Sequence, residues 1–454
     1  MKFAFEKIEP DFENFIDYPD KNTSGLNRFT PCPITTTLMM HRNHNLSGER
    51  EGVKRNMGEK WEQKKWEVYH YQNENDNDTN YIISTAVNHS PIDWCGEDNK
   101  GLAKNENFPN RKTPLSLLNK KYLKDLREGK ALLLLDQSHE GYQTEWLWSW
   151  FHNDCEANNV SPRAIIYVTG NCLADEQYQI WANSLGIKER LKVIPHTHFE
   201  NMIHVGAVNR LRHQGRPLPT LLDQLEYKRN NLEKLKTFNA LQKRTRAHRI
   251  WFYKYLRDAN LLDKGVCSMN SWDPNFTHME DRFIPHDESE LLNKDLPLLA
   301  YNTPNNEKDD GYYITRFNDQ TIKDTFVSVV SEASFSDHDN TCFLSEKTFK
   351  SIAEFHPFII LGNKNSLHYL KDFGYKTFEG FIDESYDKLS TWARMEAIIK
   401  EIKRIDAIED KMSWFRSLTP ILEHNREVLR KNSEDYVPKS METLIQYYKE
   451  YFNV

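Results

Sequence analysis

The chain has no CxxC pair: its six cysteines, Cys32, Cys95, Cys155, Cys172, Cys267 and Cys342, are scattered over 454 residues. That scatter speaks against a zinc ribbon and against a disulfide framework, so reduced and mostly buried thiols are expected. Long apolar runs are missing too. The longest purely aliphatic stretch, Ala131 to Leu135, falls far short of the roughly 20 residues that a spanning helix requires, and no membrane insertion is expected. The first residues, Met1 to Lys7, are broken by charge before any apolar stretch could serve as a secretory signal, so the cytoplasm is the expected compartment. An excess of positive charge is also lacking. Lysine plus arginine is 60 against 67 aspartate plus glutamate, a net charge of -7, which argues against a protein that coats nucleic acid or membrane indiscriminately. Any basic site must be local. No internal repeat of fixed short period is found.

What is present is the material of a folded α/β protein. Hydrophobic residues make up 38% and aromatics 12%, which excludes a disordered chain, and the length suffices for two to four domains. The asparagine-rich stretch from Asn73 to Asn80 reads as a solvated loop. From about residue 80 onward, short apolar runs alternate with amphipathic stretches. Gly129 to Asp136 reads as a buried parallel strand, followed by a helix through Trp146, Leu147, Trp150 and Phe151. Strands over 164–168 and 191–194 complete a doubly wound unit. Residues 201–260 then hold thirteen Lys or Arg against four Asp or Glu. A polar linker helix around 222–236 precedes a second α/β unit, whose strands are expected over 237–241, 265–268, 325–330 and 357–361 and whose tail is helical from about 386. The boundary is placed near 235.

The stretch Phe343 to Ala353 carries the most chemistry. Ser345 is a good N-cap, and Phe349, Ile352 and Ala353 supply an inward face, so Glu346 and Lys347 fall on the first helical turn at the C-terminal edge of the sheet. Free backbone N–H groups and a lysine there make an anion site. Arg244, Arg246 and Arg249 begin a helix directly after the first strand of the second half, the other place where a doubly wound sheet presents ligands. A solvated basic face is the competing reading of that run. His248 reads as a packing or hydrogen-bonding residue, and Trp146, Trp148 and Trp150 as helix packing rather than sugar stacking.

Ser331-Glu332-Ala333-Ser334, Ser345-Glu346-Lys347 and Pro357 to Gly362 together resemble the donor-binding region of GT-B glycosyltransferases, in particular α-1,3-fucosyltransferases and exostosin-like proteins. Those families carry a strand ending in Phe-Glu-Asn-Ser, then Thr-Glu-Lys opening a helix, then a strand of the type Pro-Val-Val-Leu-Gly. Ala333 departs from the pattern where the family has asparagine. Phe238 to Arg249, followed by Leu261 to Gly265, is similar to uncharacterised viral and bacterial glycosyltransferase-like proteins, and the matched segments cover about a quarter of the chain. The resemblance implies a GT-B fold: two Rossmann-like domains facing across a cleft, an acceptor-side domain over 1–235 and a nucleotide-sugar donor domain over 236–454 with a helical tail. It also implies that Lys347 meets the donor diphosphate, with Arg244, Arg246 and Arg249 around it, and that Glu346 and Glu332 meet ribose or sugar hydroxyls.

The implied activity moves a sugar from a GDP- or UDP-sugar to an acceptor hydroxyl. A departing nucleotide diphosphate gains negative charge that fixed cations can stabilise, so neither a metal nor another cofactor is expected. Two Asp-x-Asp strings, Asp76-Asn77-Asp78 and Asp337-His338-Asp339, have a spacing that serves a metal in the other large glycosyltransferase fold; here they read as carboxylate-rich loops. Candidates for the base that takes the acceptor proton are Asp136, His139 and Glu140, after the first buried strand, with Asp93, His196 and His198 behind them. Gly170-Asn171 reads as a tight turn. The acceptor is expected to be a glycan. One alternative is modified DNA, guided by the basic segment in a viral enzyme acting in the host cytoplasm, and another is a non-catalytic carbohydrate- or nucleotide-binding module.

Overall fold

A computed structural model describes residues 2–5, 67–68, 80–86, 113–118, 120–138, 141, 145–200, 202–204, 207, 217–242, 246–269, 298, 317, 319–336, 341–434 and 439–454. The chain divides into two compact units, residues 1–198 with 436–454, and residues 199–435.

The first unit is built on a parallel sheet. In chain order its strands are β1 (Lys2–Phe5), β2 (Glu67–Val68), β3 (Tyr81–Ala86), β4 (Ala131–Gln137), β5 (Ile165–Thr169) and β6 (Lys192–Pro195), arranged β2-β1-β3-β4-β5-β6. The unbroken apolar run of β4 is explained by burial on both faces, because alternate side chains point to opposite sides. Ala131, Leu133 and Leu135 pack with Leu126, Leu147, Phe151 and Tyr178 from helices α1 (Lys120–Arg127), α2 (Glu145–Ala157) and α3 (Ala174–Ser184). Leu132 and Leu134 pack on the other face with Ile166, Val168, Leu444 and Tyr448. Trp148 is buried against Tyr167 and Tyr178, with ring centroids 6.0 and 5.1 Å away, so it packs as expected.

Leu444 and Tyr448 belong to the last helix, Lys439–Phe452, which therefore completes the first unit and not the second. Its Tyr447 hydroxyl donates to the Arg163 carbonyl at 2.6 Å, and its Tyr448 hydroxyl donates to the Asn80 carbonyl. Without that helix one face of β3, β4 and β5 would be bare leucine, isoleucine and valine. The expected three-stranded unit is thus a six-stranded sheet closed by the far end of the chain.

The second unit carries a parallel sheet of β7 (Lys236–Gln242), β8 (Gly265–Met269), β9 (Thr325–Ser331) and β10 (Phe358–Leu361), in the order β10-β9-β7-β8. The four expected strands are all found. The division between the units falls after His198, however, and not near 235, because the polar helix α4 (Leu221–Asn230) is part of the second core. A capping box between Thr220 and Asp223 starts it. Lys228 is fully buried, and its ammonium donates to the Ile322 carbonyl at 2.8 Å, the Lys323 carbonyl at 3.0 Å and the Thr325 carbonyl. The Phe415 and Phe326 rings lie 5.0 and 5.5 Å from the same nitrogen. Gln224 donates to the Glu354 carbonyl. A sequence that looks like a linker is instead an inward-facing polar anchor.

Candidate functional site

The short helix α6 (Asp319–Lys323) leads into β9, and two longer helices of the second unit, α5 (Ala247–Asp258) after β7 and α7 (Glu346–Ala353) after β9, begin at the C-terminal edge of the sheet. Glu332, one residue beyond β9, ties both of them down. Its carboxylate is fully buried and accepts from the Ser345 backbone N–H at 3.2 Å, the Thr348 hydroxyl at 2.6 Å and the Ser345 hydroxyl. A negative charge is thereby held against the first turn of α7, where the helix dipole favours it. Ser345 is the N-cap, as expected, and its Oγ accepts from the Lys347 N–H at 3.4 Å.

The Glu332 carbonyl serves α5. It accepts from Arg249 Nη2 at 3.1 Å and from the His248 Nε2–H at 3.2 Å, while the Ser331 carbonyl accepts from Arg249 Nη2 at 3.1 Å. Arg246, at the N-cap of α5, donates through Nη1 to the Ala333 carbonyl. The His248 ring stacks on Phe335 at 5.5 Å, and the Arg394 guanidinium lies 5.1 Å from the same ring centre. His248 is thus a packing and hydrogen-bonding residue.

The positive charges meet around that imidazole. Burial, then Arg249, Arg246 and Lys347, hold His248 well below the ordinary histidine range, so it stays neutral. Cations from two stretches about a hundred residues apart in sequence therefore act on one ring. Lys347 keeps 30% of its side chain exposed, and its ammonium reaches Glu346 at 2.8 Å and the Ser345 hydroxyl at 3.1 Å. Burial would raise the Glu346 carboxyl, but the ammonium groups of Lys347 and Lys350 outweigh it and hold the group below its usual value. Lys350 is pushed down to about 8 by burial, against the pull of Glu346 and Glu354.

The sequence-predicted residues thus divide. Glu346 and Lys347 pair at 2.8 Å, and Arg246, like them partly exposed, acts with Lys347 on the His248 ring. Arg249 is only 4% exposed and is engaged with main-chain carbonyls, so it builds the edge from inside. Glu332 has the geometry of a helix anchor, with both carboxylate oxygens engaged, and not of a contact to ligand hydroxyls. Arg244, His139 and Glu140 lie outside the described residues, as do Asp93 and both Asp-x-Asp strings.

In the first unit, Asp136 is fully buried at the end of β4, and its Oδ1 accepts from the Ser138 N–H at 3.1 Å. Asn171 similarly turns the chain after β5, accepting from the Leu173 N–H at 3.1 Å. His196, just past β6, is buried, with Nδ1 at 2.8 Å from the Ser440 hydroxyl; burial pushes its imidazole down to about 4.

Among the described residues, the buried atoms Arg246 Nε, Gln242 Oε1 and Asn363 Oδ1 along the second edge have no hydrogen-bond partner. Each such atom costs about 1–3 kcal/mol of desolvation, so their grouping near the cations is informative. Asn363 lies two residues beyond the expected strand over 357–361, and nothing in its spacing singles it out.

No family model matches this chain, and no curated protein matches it. Among solved structures the chain is similar to an α1,3-fucosyltransferase crystallised with GDP-fucose, at 8% identity and a TM-score of 0.28 over 85% of this chain and 81% of that one.

Proposed function

We propose that this protein is a nucleotide-sugar-dependent glycosyltransferase of the GT-B type whose donor diphosphate is held by fixed cations. The observation that carries the reading is the convergence of Arg246, Lys347 and the capped start of α7 at the C-terminal edge of a parallel sheet, in residues whose sequence resembles a donor-binding region. In the reaction the bond between the anomeric carbon and the diphosphate oxygen breaks, and a bond forms from the acceptor oxygen to that carbon. The leaving diphosphate takes the electron pair. Lys347, with 30% of its side chain exposed, and Arg246 stabilise the charge that develops there, and Arg244 is a third cation for the same task. Arg249 acts as a positioning residue by fixing the end of β9. Glu346, held ionised beside Lys347, is placed to accept from a ribose or sugar hydroxyl. The acceptor proton passes to a base for which Glu140, His139 and Asp136 are the candidates.

The modified-DNA alternative draws less support. Lys228 and Arg249, both in the basic segment, are turned inward onto carbonyl oxygens and are not presented to a phosphate backbone.

Incubating the protein with UDP-, GDP-, ADP- and CMP-sugars and following release of free nucleotide tests the reading. Release from at least one donor is expected, and Lys347→Ala should lower it by about 100-fold or more at an unchanged melting temperature. Failure of every donor both to bind and to turn over, or near-normal turnover by Lys347→Ala, would sink it.

A further inference from the structure

The chain from Ala333 to Ser336 forms neither helix nor strand, yet each of its residues is gripped by side chains from elsewhere in the second unit. Arg246 Nη1 donates to the Ala333 carbonyl. Asn363 Nδ2 donates to the Ser334 hydroxyl at 3.3 Å and to the Ser336 hydroxyl at 3.0 Å. The Phe335 ring stacks on His248 with an interplanar angle of 25°, and the Arg394 guanidinium lies 5.1 Å from its centre. Arg394 is itself only 1% exposed and firmly anchored. Its Nη1 donates to the Gly362 carbonyl at 2.5 Å, and its Nε and Nη2 donate to the Leu389 carbonyl at 3.2 and 2.9 Å.

Holding a loop in this way is costly. Fixing the backbone of one residue costs about 1–2 kcal/mol of entropy, and taking a guanidinium out of water adds to that, whereas connecting segments are ordinarily left mobile. What the grip secures is the Ala333 carbonyl, and with it Arg246. An arginine side chain carries roughly 2 kcal/mol of rotamer entropy when free. Tied through Nη1 to a fixed carbonyl, it keeps its planar fork in one orientation, with N–H groups left over to donate. Arg246 is partly exposed, and it is one of the two cations proposed above to stabilise the leaving diphosphate.

We infer that Phe335 is a positioning residue for anion binding: His248 and Arg394 hold its ring, the ring fixes the Ala333 carbonyl two residues before it, and that carbonyl aims Arg246 at the diphosphate. This inference rests on the nucleotide-sugar reading and adds to it a residue that acts through another. The requirement is for an aromatic ring and not for bulk. Stacking on an imidazole and attraction to a guanidinium both need a π face, which leucine lacks and tyrosine keeps.

Calorimetric titration of the full chain with inorganic pyrophosphate, UDP and GDP tests the assignment, with the melting temperature followed in parallel. Phe335→Leu should weaken pyrophosphate binding by about tenfold, and Phe335→Tyr should bind it within about twofold of wild type. Arg246→Gln should weaken binding by itself, and adding Phe335→Leu to it should cost nothing further, because the group that Phe335 aims is gone. A Phe335 that merely fills space would lose the same factor in both backgrounds. That result, or a Phe335→Leu chain that binds like wild type, overturns the inference alone. If wild type binds none of the three ligands, the glycosyltransferase reading falls and takes the inference with it.

Discussion

The C-terminal edges of the two parallel sheets are made of similar strands and finished in opposite ways. At the first, Asp136 and Asn171 accept hydrogen bonds from backbone N–H groups two residues ahead, and His196 leans on the Ser440 hydroxyl. The first two are short-range contacts that close turns, and the third ties β6 to the final helix, 244 residues away. At the second, Glu332 joins two helices through its carbonyl and its carboxylate, and cations from α5 and α7 act on one buried imidazole. Among the described residues both edges hold buried polar atoms without a partner, His196 Nε2 at the first and Arg246 Nε, Gln242 Oε1 and Asn363 Oδ1 at the second, but at the second they lie beside concentrated positive charge. That difference is the reason the proposed diphosphate site is assigned to the second edge.

The contrast can be broken by pH. Lys228, beneath the second sheet, is pushed from 10.5 down to about 7 by burial, against a weaker pull from Asp324. Between those values the unfolded chain binds the proton and the folded chain does not, so stability rises with pH from about 7 and levels off near 10.5. The rise should be on the order of 4 kcal/mol in urea unfolding, and Lys228→Met should flatten it. His196 at the first edge behaves similarly at lower pH. Its folded value of about 4 lies below the ordinary 6.5, so stability should fall by roughly 3 kcal/mol as pH drops through that window, and His196→Gln should remove the loss.

Substitutions sharpen the same comparison. Glu332→Ala strands the Ser345 N–H and two hydroxyls, and should cost about 3 kcal/mol in urea unfolding together with most of the affinity for a nucleotide diphosphate. Ser440→Ala removes one neutral hydrogen bond from the first edge and should cost only about 1 kcal/mol, with nucleotide binding unaffected in the same titration.

Much of this was legible before any coordinates. The run Ala131 to Leu135 announces a strand buried on both faces, and Ser345 followed by Phe349, Ile352 and Ala353 announces a capped helix with one inward side. Strands β1 and β2 were not legible, since four and two residues carry too little pattern to stand out from the less periodic first 80. The helix around Lys228 was misread because its polarity looks solvated, while in the fold three carbonyls and two aromatic rings take up that charge. Arg249 is the same lesson inside the site. A basic residue at a strand edge can meet a phosphate or a carbonyl oxygen, and its neighbours in sequence do not say which.

Local pattern alone therefore determined the α/β character, the strands of the second sheet, and the caps that bring Lys347 and Arg246 to its edge, because strand burial and helix starts depend on residues close in sequence. Tertiary structure decided which charges face outward, that Glu332 is an anchor, that Asn363 meets Ser334 and Ser336, and that the final helix closes the first sheet. Each of those depends on atoms dozens to hundreds of residues apart, whose meeting is settled by packing and by the cost of leaving a buried polar group unmatched.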